Sequence, residues 1–151
     1  MTAVRRVLAT TAAVAALGAT AGCTAVSVGE ATLARAADGT YVLLVEICDD
    51  DPEVTWLFVD EWETRAPGAT AGRSYSVVLT GLDVSAVPPR QELYIGGWTE
   101  DVNHSLPGPD ITAAELVALR PGELISTDDD GHHEATATTE SDWRADACVT
   151  R

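Results

Sequence analysis

Cys23 is the residue whose chemistry its neighbours fix most closely. Thr20-Ala21-Gly22 puts small side chains just before it, as a signal peptidase requires, because they enter tight pockets beside the scissile bond. A thiol at the first position after that bond is the acceptor for a diacylglyceryl group. Upstream, residues 1–6 are short and positive through Arg5 and Arg6, and residues 7–20 are apolar and rich in Ala. That apolar run of about 14 residues is shorter than the ~20 needed to cross a hydrocarbon core. We therefore read residues 1–22 as a lipoprotein signal that is removed, and Cys23 as the lipidation site. The expected location is the extracytoplasmic face of the cell membrane. Thr20 stands where an aliphatic residue is usual, so a plain secretory signal is the alternative, followed by a retained anchor. Two acyl chains give stable attachment where one is marginal, and a diacylglyceryl thioether supplies two.

A second group that could do chemistry is the run Thr127-Asp128-Asp129-Asp130-Gly131-His132-His133-Glu134. Against the calcium-loop pattern, Asp128, Asp130 and Gly131 fit the third, fifth and sixth positions, but Ser126 and Ala137 do not fit the first and twelfth. It is not an EF-hand. Asp128, Asp130 and His132 could instead hold a borderline divalent cation. Adjacent histidines on a strand point to opposite faces, so His133 would not join the same ion. The plainer interpretation is an acidic hairpin tip around Asp130-Gly131. Asp49-Asp50-Asp51 with Glu53 is ordinary turn material between two strands.

Asp101, His104 and Ser105 share a long loop, but their spacing makes no triad and there is no GxSxG. Four tryptophans make up half of the aromatic side chains. Burial is the default for Trp56, Trp98 and Trp143. Trp62, beside Asp60, Glu61 and Glu63, is the one expected to stand exposed at a strand end, where it could recognise a sugar or a cation.

Charge narrows the function classes. Without residues 1–22 the chain keeps 7 basic residues against 24 acidic, a net charge of −17, and it has no lysine. The acidity argues against nucleic-acid binding, since phosphate contacts need Lys/Arg patches. Adhesion to anionic lipid is disfavoured for the same reason. With Cys23 committed to lipid, Cys48 and Cys148 remain as an even pair in an oxidising compartment, which predicts a disulfide. No CxxC suggests metal or redox use.

The elements that must position these groups read mainly as β. Residues 28–36 and 40–48 flank Asp38-Gly39, a tight-turn dipeptide. Tyr41, Leu43, Val45 and Ile47 point one way and Val42, Leu44 and Cys48 the other, as in a central strand. Residues 54–62 alternate Val54, Trp56 and Phe58 against Thr55, Leu57 and Val59. Strands over 74–82 and 92–99 follow, the second with Gly96-Gly97, which signals a bulge or a close backbone approach. Thr112-Ala113-Ala114-Glu115 is a capping box, with Ile111 and Leu116 as its staple, predicting a helix over 113–119. Strands over 123–127 and 132–138 form a last hairpin, and a helical turn over 140–147 carries Trp143 and returns Cys148 to Cys48.

Seven or so short strands predict one domain over 28–151, an antiparallel β-sandwich of immunoglobulin or fibronectin-III type with one or two short helices. Residues 23–27 form a short lipidated tether. Leu119-Arg120-Pro121-Gly122 before Leu124 resembles the turn ahead of a late strand in that superfamily, without its tyrosine. Ala37-Asp38-Gly39, the stretch Ala113-Ala114-Glu115-Leu116 through Pro121-Gly122, and Trp143-Arg144-Ala145-Asp146-Ala147-Cys148 resemble a group of small secreted or lipid-anchored actinobacterial proteins. The shared motifs are structural, so the resemblance carries over no functional residue. The expectation is a non-enzymatic binding or interaction module without a cofactor. Its partners would be the membrane, through the lipid, and a protein or small ligand. The alternative is a protein that binds a divalent cation through its acidic and His-containing loops.

Overall fold

The computed structural model describes residues 26–49, 53–68, 72–100, 104–127, 133–136 and 138–149. They form a β-sandwich of two five-stranded sheets with two short helices. The front sheet contains β1 (Val26–Ser27), β4 (Val54–Val59), β5 (Trp62–Arg65), β8 (Ile95–Thr99) and β9 (His104–Pro107), in the order β1-β9-β8-β4-β5. The back sheet contains β2 (Gly29–Arg35), β3 (Tyr41–Ile47), β6 (Ser74–Val78), β11 (Leu124–Thr127) and β12 (His133–Thr136), in the order β12-β11-β2-β3-β6. A small pairing of β7 (Glu92–Leu93) with β10 (Ile111–Thr112) completes the strands.

The run β2-β3-β6 of one sheet faces β5-β4-β8-β9 of the other, as in an antiparallel β-sandwich. β1 adds to the last of these in parallel, Val26 beside His104 and Ser27 beside Ser105. The hairpin β11–β12 is an addition beside β2. The turn at 119–122 therefore leads into an added strand. The central strand β8 is entered instead through residues 79–94, ending in Tyr94.

Side-chain alternation builds the core between the sheets. Ala31, Leu33, Leu43 and Val45 face Leu57, Val59, Ile95 and Leu106 across it. Val28 joins the two layers, its N–H donating to Ser105 O of the front sheet while its carbonyl accepts from Cys48 N of the back sheet. The helix α1 (Ala113–Ala118) forms as its capping box dictates: Glu115 N donates to Thr112 Oγ1 at 3.3 Å, and Thr112 N donates to Glu115 Oε2 at 2.6 Å. It adds Ala113 and Leu116 to the core, next to Val84 from a single 3-10 turn, Val84–Ala86.

Two sequence readings of residues 54–62 need correction. The strand stops at Val59, because Asp60 takes a left-handed conformation (φ 52°) and Val59 pairs with Trp62 across a two-residue loop. Asp is among the few non-glycine residues that visit that region readily. The alternation is also broken, because the pairing of β4 with β8 slips between Val54 and Trp56. Val54 consequently lies in the core with Leu57 and Val59, while Trp56 and Phe58 face outward.

The outside of the back sheet is covered. The helix α2 (Glu140–Asp146), capped by Thr139, lays Trp143 and Ala147 over Leu44 and Leu124, with Ala34 and Val42 beside them. Arg144 fastens it: Nη1 donates to Val45 O at 2.7 Å and Glu46 Oε2 at 3.0 Å, and Nη2 donates to Tyr75 O at 3.2 Å. The Cys48–Cys148 disulfide forms as expected, with Cα atoms 5.4 Å apart and 100 residues between them in sequence.

Candidate functional site

The outside of the front sheet has a different character. Trp98 lies directly opposite Trp56, and Gly96 opposite Phe58. Both tryptophans are substantially exposed, at 42% for Trp56 and 52% for Trp98. Phe58 stacks on Trp98 along the diagonal, ring centroids 5.2 Å apart and planes 24° from parallel. Such a pair adds ~0.5–1.5 kcal/mol beyond its buried area. Next to Trp56 on the other side is Arg65, whose guanidinium lies 5.3 Å from the indole centroid. Glu63, opposite Phe58, completes the outward row of β5.

The paired glycines of β8 make this packing possible. A methyl on Gly96 would stand 2.5 Å from Leu106 O and 3.0 Å from the Phe58 ring. The Phe58 ring needs the space a side chain would fill. On the inner face, a methyl on Gly97 would meet Trp56 O at 2.8 Å. The sequence signal at Gly96-Gly97 was therefore close backbone approach. The bulge itself falls on the partner strand, at Thr55, whose Oγ1 donates to Trp98 O at 3.1 Å.

Beside the two indoles, Thr55, Trp56, Arg65, Thr99 and Glu100 line a shallow, open cavity of about 500 Å³. It offers an aromatic surface, a guanidinium donor, a carboxylate acceptor and hydroxyls. These groups can bind by stacking, cation–π contact and hydrogen bonding. No nucleophile–base pair lies among its lining residues.

Trp62, expected to be exposed, is half-buried. Its ring packs against the central core, and Nε1 donates to Thr80 O at 3.1 Å. The cause is register: Trp62 pairs with Val59 and shares its inward side. The exposed tryptophans are Trp56 and Trp98, for which burial is the default expectation. Only the broken alternation at Thr55 could have revealed them, and that depends on the partner strand.

Cys23, Asp128, Asp130 and His132 lie outside the described residues. Among the described residues no group of three or more His, Cys, Asp or Glu side chains could hold a metal ion, and no helix is long and apolar enough to cross a membrane. Asp49 sits at the end of the covered back sheet, and His104 and Ser105 belong to β9. Comparison of the chain with protein-family models, with curated proteins and with solved structures finds no match.

Proposed function

We propose that this protein is a lipid-anchored, extracytoplasmic envelope protein that acts as a non-enzymatic binding module through the outside of its front sheet. One observation carries the reading: the sandwich treats its two outer faces unequally. Apolar residues facing outward from the back sheet are roofed by α2, whereas among the described residues no helix covers Trp56, Phe58 and Trp98 of the front sheet. Trp, Tyr and Arg dominate binding energy at protein surfaces, because they offer large contact area with a polar handle. The signal-like segment and Cys23 support the anchoring, and the strongly acidic balance supports an exposed, soluble domain.

The test has two arms. Cys23→Ala should move the protein from the membrane fraction to the medium, or leave it as unprocessed precursor. A photo-crosslinking residue at position 98 should capture a specific species in intact cells, and one at the exposed position 117 of α1 should not. Retention of mature Cys23→Ala protein in the membrane would refute the anchor. Equal capture from both positions would refute the binding face.

A further inference from the structure

We infer that the partner of the Trp56–Trp98 face is the headgroup layer of the membrane to which the protein is anchored, an inference that rests on the lipidation of Cys23. Ser27 pairs with Ser105, Ser105 with Trp98, Trp98 with Trp56, and Trp56 with Arg65. These five residues form a single row across the front sheet. The row beyond it, at the edge of the sheet, runs from Val26 through His104 and Thr99 to Val54. Both indoles therefore lie one residue from the end of the sheet at which the chain enters.

An anchor on Cys23 would be tied to that end by a short leash. Only residues 24 and 25 separate Cys23 from Val26, so Cys23 cannot be farther than ~10–11 Å from Val26 at full extension. With strands ~4.8 Å apart, Trp98 is ~10 Å and Trp56 ~14 Å from Ser27 along the row. A lipid on Cys23 would therefore be within reach of the corner that carries the two exposed indoles. The leash is too short for the face to swing far from the bilayer. A short tether also imposes an effective concentration on the order of millimolar, so weak docking is enough to hold the orientation.

The chemistry of the face suits a headgroup layer. Tryptophan is enriched at membrane–water interfaces, where the ring body sits among apolar groups and the N–H stays with polar ones. Arg65 can take a phosphate through its guanidinium fork, while Glu63 and Glu100 stand ready for ammonium groups. A face bearing both signs complements a zwitterionic headgroup. The net charge of −17 after removal of residues 1–22 opposes an anionic surface. The face covered by α2 would then be turned toward solvent.

The test uses the full-length lipidated protein reconstituted into phosphatidylcholine vesicles. Co-flotation reports the anchor. Quenching of tryptophan emission by lipids brominated in their acyl chains reports the seat of the face. Two of the four tryptophans are on the face, so close to half of the emission should be quenched. Trp56→Phe/Trp98→Phe should still float and melt cooperatively, and the bromolipid effect should be lost. Flotation of the wild type with unquenched emission would overturn this inference alone and assign the face to a protein or soluble ligand. Failure to float would overturn the anchor and this inference with it.

Discussion

Trp56 and Trp98 stand directly opposite each other on neighbouring antiparallel strands, and Thr55 is what brings them there. As the extra residue of a bulge, Thr55 shifts the inward and outward sides of β4 by one position. Without it, Trp56 would share a face with Val54, which is buried at 5% exposure. The bulge therefore converts what the sequence presents as a core tryptophan into a surface one. Bulges often re-aim side chains at functional surfaces in this way.

Gly96→Ala tests the packing behind that face. The added methyl must displace the Leu106 carbonyl and also crowds the Phe58 ring. Overpacking of this kind costs ~1–3 kcal/mol. A lower melting temperature should accompany loss of the near-UV circular dichroism that arises from the Phe58–Trp98 stack. Wild-type values in both measurements would show that β9 yields without strain.

Arg144→Ala should loosen α2 without unfolding the sandwich. The guanidinium is held by Val45 O, Tyr75 O, Glu46 and Glu140, and hydrogen bonds to a charged group are worth ~1.5–3 kcal/mol. Hydrogen exchange should rise over residues 140–147 while the β2–β3 amides stay protected. Arg144→Lys keeps the charge but loses the fork, so it should fall between the two. Uniform acceleration across the whole chain would show that α2 and the sandwich unfold as one unit.

What the sequence made legible follows from the range of the interactions involved. The capping box at Thr112 and Glu115 is a contact three residues long, and α1 appears where it predicts. Asp38-Gly39 is equally local: Asp38 Oδ1 accepts from Thr40 N and Thr40 Oγ1 within the turn. His104-Ser105-Leu106-Pro107 has little intrinsic strand character and by itself predicts a loop; pairing with β8 and β1 makes it the strand β9. The bulge at Thr55 and the inward turn of Trp62 depend on neighbours distant in sequence. The exposed indoles are consequently Trp56 and Trp98, one hairpin away from the Trp62 that local sequence favours.

Reducing the Cys48–Cys148 bond should weaken the same attachment by a different route. Closing a loop with a 100-residue separation contributes at most ~4–5 kcal/mol in the chain-entropy model. Non-reducing peptide maps should join the two cysteines, and reduction should lower the melting temperature by several degrees or more. Since Arg144 and the disulfide both hold α2, the losses in the double variant Arg144→Ala/Cys148→Ser should fall short of additive. Strict additivity would mean that the two fastenings act on separate parts of the fold.

Tyr75 supplies a test in alkaline solution. Its phenol packs against the central core, and burial, reinforced by the Glu53 carboxylate, raises its pKa to about 12 from an ordinary 10.0. A raised folded-state pKa means that, as pH rises past 10, the unfolded chain releases this proton while the folded one retains it. Stability then falls with increasing pH. The contribution is complete below pH 10 and is lost progressively up to about pH 12. Melting followed between these limits should show that decline in the wild type, with tyrosinate absorbance from Tyr75 appearing only as unfolding proceeds. Tyr75→Phe removes the titrating proton while keeping the ring in the core, so its stability should vary less over the same window. Parallel declines in the two proteins would assign the alkaline sensitivity to other groups and place the Tyr75 hydroxyl in contact with solvent.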